Sequence, residues 1–283
     1  MRSALIAAIL ALPGLAIAGP KAKAGTPAHS PPACGVKILP LVEGNTWTYE
    51  NTAAPQAADP AIARIAPEAA KTVVITVKSV DAKKGADTVV TLEEKITRDL
   101  TKDPKKPLLD ERTITTTITC NAKKFVISPD SFFFAGEPGG YLGLKIDSID
   151  HPKPTNANSW VLPKGTIGAE QWREELTMHW TAVPTEGSEA KLGSGKLELE
   201  RSYTPAQPEP VTTKYGHFTA EKLALLTTGR VTLDNPLAPP QDGKPAELPA
   251  NWYTTQWLAA DVGLVQSLNS YAHMYQLVSA TLN

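Results

Sequence analysis

The residues able to do chemistry are few and scattered. Cys34 and Cys120 are the only cysteines in 283 residues, and what they can do is form a disulfide, hold a metal or act as thiols. No Cys-x-x-Cys pair is present, which weakens the metal and thiol readings. Of five histidines, His29 and His151 fall in Pro-rich, weakly apolar stretches. His179 shares a strand face with Glu175, but residues four apart on a strand lie roughly 13 Å apart, too far to ligate one metal. His217 follows Tyr215-Gly216 at a turn, and His273 lies between Tyr271 and Tyr275. The acidic pairs Glu93-Glu94 and Glu174-Glu175 are neighbours on strands, so their side chains point to opposite faces and form no acid/base pair.

Sequence motifs for common chemistries are also missing. The chain holds no His-Glu-x-x-His, no Gly-x-Ser-x-Gly and no Gly-x-Gly-x-x-Gly. Gly193-Ser-Gly-Lys196 superficially resembles a phosphate loop, but Leu197 stands where Ser or Thr would hold magnesium, and the segment reads as a hairpin turn. The expectation is a protein without catalytic residues, metal or cofactor.

Compartment decides what the cysteines do. Arg2 precedes an apolar run over Ala4–Leu12, Pro13-Gly14 ends it, and Ala16-x-Ala18 provides a small-x-small cleavage site, with Ala22-x-Ala24 as a second one. The run is far shorter than the roughly 20 residues that cross a bilayer, so residues 1–18 read as a cleaved signal peptide and the product as periplasmic or secreted. Cys34 follows Pro-Pro-Ala, lacks the Leu of a lipobox and lies well past the apolar run, which argues against a lipid anchor. In an oxidising compartment two cysteines predict a Cys34–Cys120 bridge. It would close a loop of more than 80 residues and contribute on the order of 4 kcal/mol on the chain-entropy model.

The formal charges, 28 basic and 29 acidic, leave nothing to recruit a polyanion, and Lys83-Lys84 and Lys105-Lys106 sit in turns, so nucleic acid is not an expected partner. Residues 19–33 are rich in Pro, Ala and Lys, bury too little apolar surface to offset their ordering entropy, and read as a tether. Residues 34–283 read as one antiparallel β domain.

The elements that must position any site are strands, because β-branched residues dominate and turn residues punctuate them. Thr72–Val80 and Thr88–Thr97 form a hairpin around Asp81–Asp87, and Arg112–Cys120 and Phe125–Ser128 form another, which puts Cys120 at a strand end. In Trp172–Val183 alternation places Trp172, Leu176, Met178 and Trp180 on one face, interrupted by Glu174. Lys196–Tyr203, Thr219–Thr227, Thr232–Leu233, Trp252–Leu258, Gly263–Leu268 and Met274–Leu282 continue the pattern. Pro205–Pro210 and Asn235–Pro249 read as Pro-rich connections. The architecture expected is all-β: a single large antiparallel, strongly curved sheet or half-barrel with few or no helices.

Aromatic residues give the one positive lead. Six tryptophans are spread along the chain, and a concave sheet lined with such side chains can hold an apolar ligand or simply bury them as core. Phe132, Phe134, Trp172, Leu176, Met178 and Trp180 are the candidate lining residues. Ser131-Phe-Phe-Phe134 reads as a core strand or a pocket lip.

Three segments carry a resemblance: Leu39-Pro-Leu-Val-Glu-Gly-Asn-Thr-Trp-Thr-Tyr49, Tyr215-Gly-His-Phe-Thr-Ala220 and Trp257-Leu-Ala-Ala-Asp-Val-Gly-Leu-Val-Gln266. Together the sequence resembles a group of uncharacterised secreted proteins and lipoproteins of bacteria. What the resemblance implies is a periplasmic or outer-membrane-associated β protein with a half-barrel similar to that of lipoprotein carriers such as LolA and LolB, and no catalytic residues. Within these motifs Gly44 and Gly263 supply turns, while Trp47 and Trp257 anchor the adjoining strands. Two functions follow as expectations: an exported, non-catalytic envelope protein that binds an apolar or lipid-like ligand in a concave sheet, or a structural or interaction module for an envelope protein.

Overall fold

A computed structural model describes residues 32–53, 69–83, 87–101, 103–121, 125–138, 144–150, 171–182, 193–234 and 245–283. The leader and nearly all of the tether lie outside these residues. At the tether's end the reading needs correcting: Ala33 is buried, begins a 3-10 turn over Ala33–Gly35, and donates its N–H to Leu41 O at 2.9 Å.

Among the described residues thirteen strands form one antiparallel sheet. In chain order they are β1 (Thr46–Ala53), β2 (Thr72–Ala82), β3 (Thr88–Asp99), β4 (Leu109–Cys120), β5 (Phe125–Ile127), β6 (Leu144–Asp150), β7 (Trp172–Ala182), β8 (Ser194–Thr212), β9 (His217–Leu233), β10 (Ala246–Pro249), β11 (Trp252–Ala259), β12 (Gly263–Asn269) and β13 (His273–Thr281). One short helix, α1 (Phe132–Ala135), follows β5. Twelve strands lie in the order β5-β4-β3-β2-β1-β13-β12-β11-β9-β8-β7-β6, with β10 paired to β9 beside the end of β11. The first and last strands meet in the middle, Thr46 opposite Thr281 and Ala53 opposite His273, and join a half built from β2–β5 to one built from β6–β13.

The expected all-β class holds, but the strongly curved sheet or half-barrel does not. The sheet is neither closed nor strongly curled, and its end strands β5 and β6 do not pair with one another. Its inner face is covered instead by the chain's own segment from β5 through α1. Thus Phe132 packs on Tyr49 of β1 and Tyr275 of β13, at ring-centroid distances of 4.7 and 5.4 Å, while Phe134 lies among Leu176, Met178 and Leu199 of β7 and β8.

Two more expectations change. Residues Pro205–Pro210 are part of β8, not a connection. Proline lacks the N–H that a central strand needs, but β7 pairs with β8 only as far as Tyr203, and a register shift between Ala206 and Glu209 falls within the proline run. Among the described residues the prolines therefore sit on a stretch with one unpaired edge. Gly193–Lys196 is no hairpin turn either, because Ser194, Gly195 and Lys196 open β8. A Cβ on Gly195 would collide with the Trp180 ring and with Thr232 O, so the glycine is there for close packing.

Cys120 ends β4, is fully buried, and pairs with Thr88 on one side and Phe125 on the other. No cysteine is free among the described residues. The side chain of Cys34 lies outside them.

Candidate functional site

The site is built around α1, and the sequence shows why so short a helix forms. Ser131 caps it, its Oγ accepting from Phe133 N, and Gly136 ends it at φ 69°, a left-handed conformation that glycine adopts without a Cβ penalty. A four-residue helix satisfies almost none of its own carbonyls. Here the sheet supplies the donors. Gln256 Nε2 donates to Phe133 O at 3.2 Å, Arg201 Nη2 to Phe134 O at 2.6 Å, Thr254 Oγ1 to Ala135 O at 3.0 Å and Ser267 Oγ to Gly136 O at 2.6 Å. Four successive carbonyls are thus met by side chains from β8, β11 and β12, and Asn269 donates to the carboxyl of the next residue, Glu137.

Glu94 of β3 holds the start of α1. Its carboxyl accepts from Thr116 Oγ1 and Ser131 Oγ, both at 2.7 Å, and from Phe132 N at 2.9 Å. The residue is wholly buried. Loss of water pushes its pKa up to about 7 even though these hydrogen bonds pull it down. Desolvation likewise raises Glu137 to about 7. Both ends of the α1 segment are therefore held by carboxyl groups that sit near neutrality.

Between this segment and the strands of β7–β9, β11 and β12 lies a cavity of about 60 Å³, room for on the order of four to six waters. Its walls are mostly apolar, from Phe125, Phe134, Leu223, Leu225, Leu258 and Leu264 among others, and its polar groups are Glu174, Arg201, Tyr203 and Gln256. Arg201 is 2% and Glu174 4% exposed. Their nearest charged atoms are 3.9 Å apart, and Tyr203 Oη donates to Glu174 Oε2 at 2.6 Å. Burial raises the Tyr203 pKa well above its usual value, so the phenol keeps its proton and remains a donor. The Arg201 guanidinium stacks 3.5 Å from the centre of the Phe134 ring and 5.1 Å from that of Tyr203. Its Nε has no hydrogen-bond partner among the described residues.

The predicted lining residues divide. Phe134 lines the cavity. Phe132 does not: it fills the core against Tyr49 and Tyr275. Leu176 and Met178 pack with Phe134 in a smaller cluster beside it. Trp180 is buried with its Nε1 unpartnered, and the Trp172 side chain lies outside the described residues. Ser131–Phe134 is neither strand nor lip, since it caps and forms α1. Gly44 and Gly263 do carry the positive φ of turn glycines, 86° and 103°. Trp47 is fully buried, donates to Val262 O at 2.6 Å and meets the Phe133 ring edge-on at 5.6 Å. Trp257 follows Gln256 on β11 and turns to the other face, where Lys222 Nζ lies 5.3 Å from its ring and Glu209 accepts from its Nε1.

Sequence reading missed Glu94, Glu174 and Arg201 as site residues, although a signal was present. Each occupies the apolar phase of its strand, Glu94 between Leu92 and Ile96, Glu174 two residues before Leu176, and Arg201 between Leu199 and Tyr203. A charge in the buried phase of an alternating strand has to find a partner inside.

No family model and no curated protein matches the chain. Two solved structures are similar to it. One is a candidate lipoprotein from Parabacteroides distasonis, at 14% identity and TM-score 0.49. The other is a candidate exported protein with a YmcC-like fold from Bacteroides fragilis, at 13% identity and TM-score 0.47. Each comparison covers 87% of this chain and 99% of the other.

Proposed function

We propose that the protein is an exported, non-catalytic binding protein of the bacterial envelope, periplasmic or secreted, which takes an apolar ligand into the cavity beside Arg201. The observation that carries this reading is the lining itself: aliphatic and aromatic walls around one buried cluster of polar groups, the usual composition of a small-molecule site. A Cys34–Cys120 bridge belongs to the same reading, since Cys120 lies next to Phe125, one of the lining residues.

Size limits what enters. Sites for drug-sized ligands run to roughly 300–1,000 Å³, against about 60 Å³ here. A lipid-sized ligand therefore requires α1 to move off the sheet, whereas a small one fits beside it. The same tightness favours the second reading, an interaction module whose inner face is simply filled by its own chain. Native mass spectrometry of protein purified from the periplasm separates the two. A co-purifying small molecule, lost after denaturation, is the result expected for a binding protein. A clean apo mass, with no binding of added apolar compounds, overturns it in favour of the interaction module.

A further inference from the structure

We infer that the cavity selects an uncharged apolar molecule bearing a carbonyl acceptor, an ester or an amide, and discriminates against the corresponding free acid. This rests on the ligand-binding reading above and goes on to name the ligand's polar group.

The inference comes from counting donors and charges around Arg201. The guanidinium has five N–H bonds in a rigid fork. Nη2 is taken by the Phe134 carbonyl and Nη1 faces Glu174, while Nε has no partner although the side chain is 98% buried and lines the cavity. A buried N–H without an acceptor is costly, and here a side chain that lines the apolar cavity carries an Nε–H that no acceptor meets among the described residues. An occupant with a single acceptor oxygen satisfies it.

Charge then chooses the kind of oxygen. Among the described residues Arg201 and Glu174 are the only charged ones in the lining and neutralise one another, and Tyr203 donates a hydrogen bond to Glu174 while keeping its own proton. A carboxylate entering here would be an uncompensated charge in a dry site, close to Glu174. A carbonyl brings the acceptor without the charge. The chain already shows the pairing: Phe134 offers Arg201 an aromatic ring at 3.5 Å and an uncharged amide oxygen at 2.6 Å.

Probes small enough to enter without moving α1 test this directly. Methyl propionate, N-methylpropionamide, butyrate and n-hexane are matched in heavy-atom count, and titration of the full chain is followed by NMR shifts of the residues that line the cavity. Ligands of this size bind weakly, in about the millimolar range. The ester or the amide is expected to bind at least about tenfold more tightly than butyrate or hexane, and whichever of the two is tighter tells whether the natural source is an acyl ester or a peptide-like amide. Equal binding of hexane, or tighter binding of butyrate, overturns the inference but leaves the binding-protein reading standing. No binding by any probe, with only water in the cavity, overturns both. In the double variant Arg201→Met, Glu174→Gln, which leaves no unpaired buried charge, the preference for ester and amide over hexane should disappear. Leu225→Trp, which fills the cavity, should abolish binding in a protein whose circular dichroism is unchanged.

Discussion

Two buried carboxylates on the inner face of the sheet, Glu94 and Glu174, are set in opposite surroundings. At Glu94 three donors converge on the carboxyl and the start of α1 is fixed in place. At Glu174 the carboxyl shares a cavity wall with an arginine whose Nε has no acceptor. The first is satisfied and is not among the residues that line the cavity. The second accepts from Tyr203 and has space, and the group left unmet beside it is the Nε of Arg201. A buried polar group with every bond made rigidifies a fold, whereas one with a bond left over marks a place where something else can sit.

The largest expected effects separate anchoring from site. Trp47→Ala removes a fully buried ring that packs edge-on against Phe133 of α1 and should lower stability by about 3–5 kcal/mol. Trp257→Ala should cost a similar amount from the other face. A urea midpoint unchanged from that of the wild type would show that neither ring anchors the sheet. Arg201→Met alone should also cost about 3–5 kcal/mol, because it strands Glu174 as a buried unpaired charge. Adding Glu174→Gln should restore most of the loss. If the double variant is as unstable as the single one, the cluster beside the cavity is a structural clamp like Glu94 and the contrast between them fails.

Titration sharpens the comparison next. Glu94 is raised to about 7 from an ordinary value near 4.5. The folded state thus holds its proton more tightly than the unfolded chain does. The stability this provides is fully present below about pH 4.5 and is lost as pH rises through 7, where folding has to retain a buried negative charge. The loss for Glu94 is on the order of 3 kcal/mol, and Glu137, raised for the same reason, adds to it in the same direction. The melting temperature should therefore fall between pH 5 and pH 8, and Glu94→Gln should remove much of that fall. A melting temperature that rises over this interval would mean that Glu94 is ionised in the fold and its clamp is of a different kind.

Much of the scaffold was legible in the sequence, because period-two alternation and turn residues act locally. The hairpin of β2 and β3, the β4 end at Cys120 and the three C-terminal strands all lie where alternation puts them. What was not legible depended on distance. Pro205 and Pro210 read as a break because sequence does not reveal that the pairing of β7 with β8 ends at Trp172 opposite Tyr203, which among the described residues leaves an edge for them. Ser131–Phe134 reads as a core strand or a pocket lip because three consecutive aromatics suit either, whereas the helix over Phe132–Ala135 is imposed by Ser131, Gly136 and donors more than 60 residues away, such as Arg201. The charges at 94, 174 and 201 were visible as interruptions, but only the fold shows that one of them closes a clamp and two of them border a space.

The smallest effect tests whether α1 is held as one unit. Thr254→Val keeps the shape of the side chain and deletes one bond, the one from its Oγ1 to Ala135 O. It leaves that half-buried carbonyl without its donor, which should cost about 1 kcal/mol in urea unfolding with an unchanged m-value. Ala135 is adjacent to Phe134, whose carbonyl and ring both engage Arg201. If α1 has to leave the sheet for a long ligand to enter, weakening its hold at Ala135 lowers the cost of leaving, so a long-chain ester should bind more tightly to Thr254→Val than to the wild type while methyl propionate binds equally to both. Ser267→Ala, which frees Gly136 O, should act in the same way. Equal affinity of the long ester for all three proteins would mean that α1 stays in place, and that the space beside Arg201 is the whole of the site.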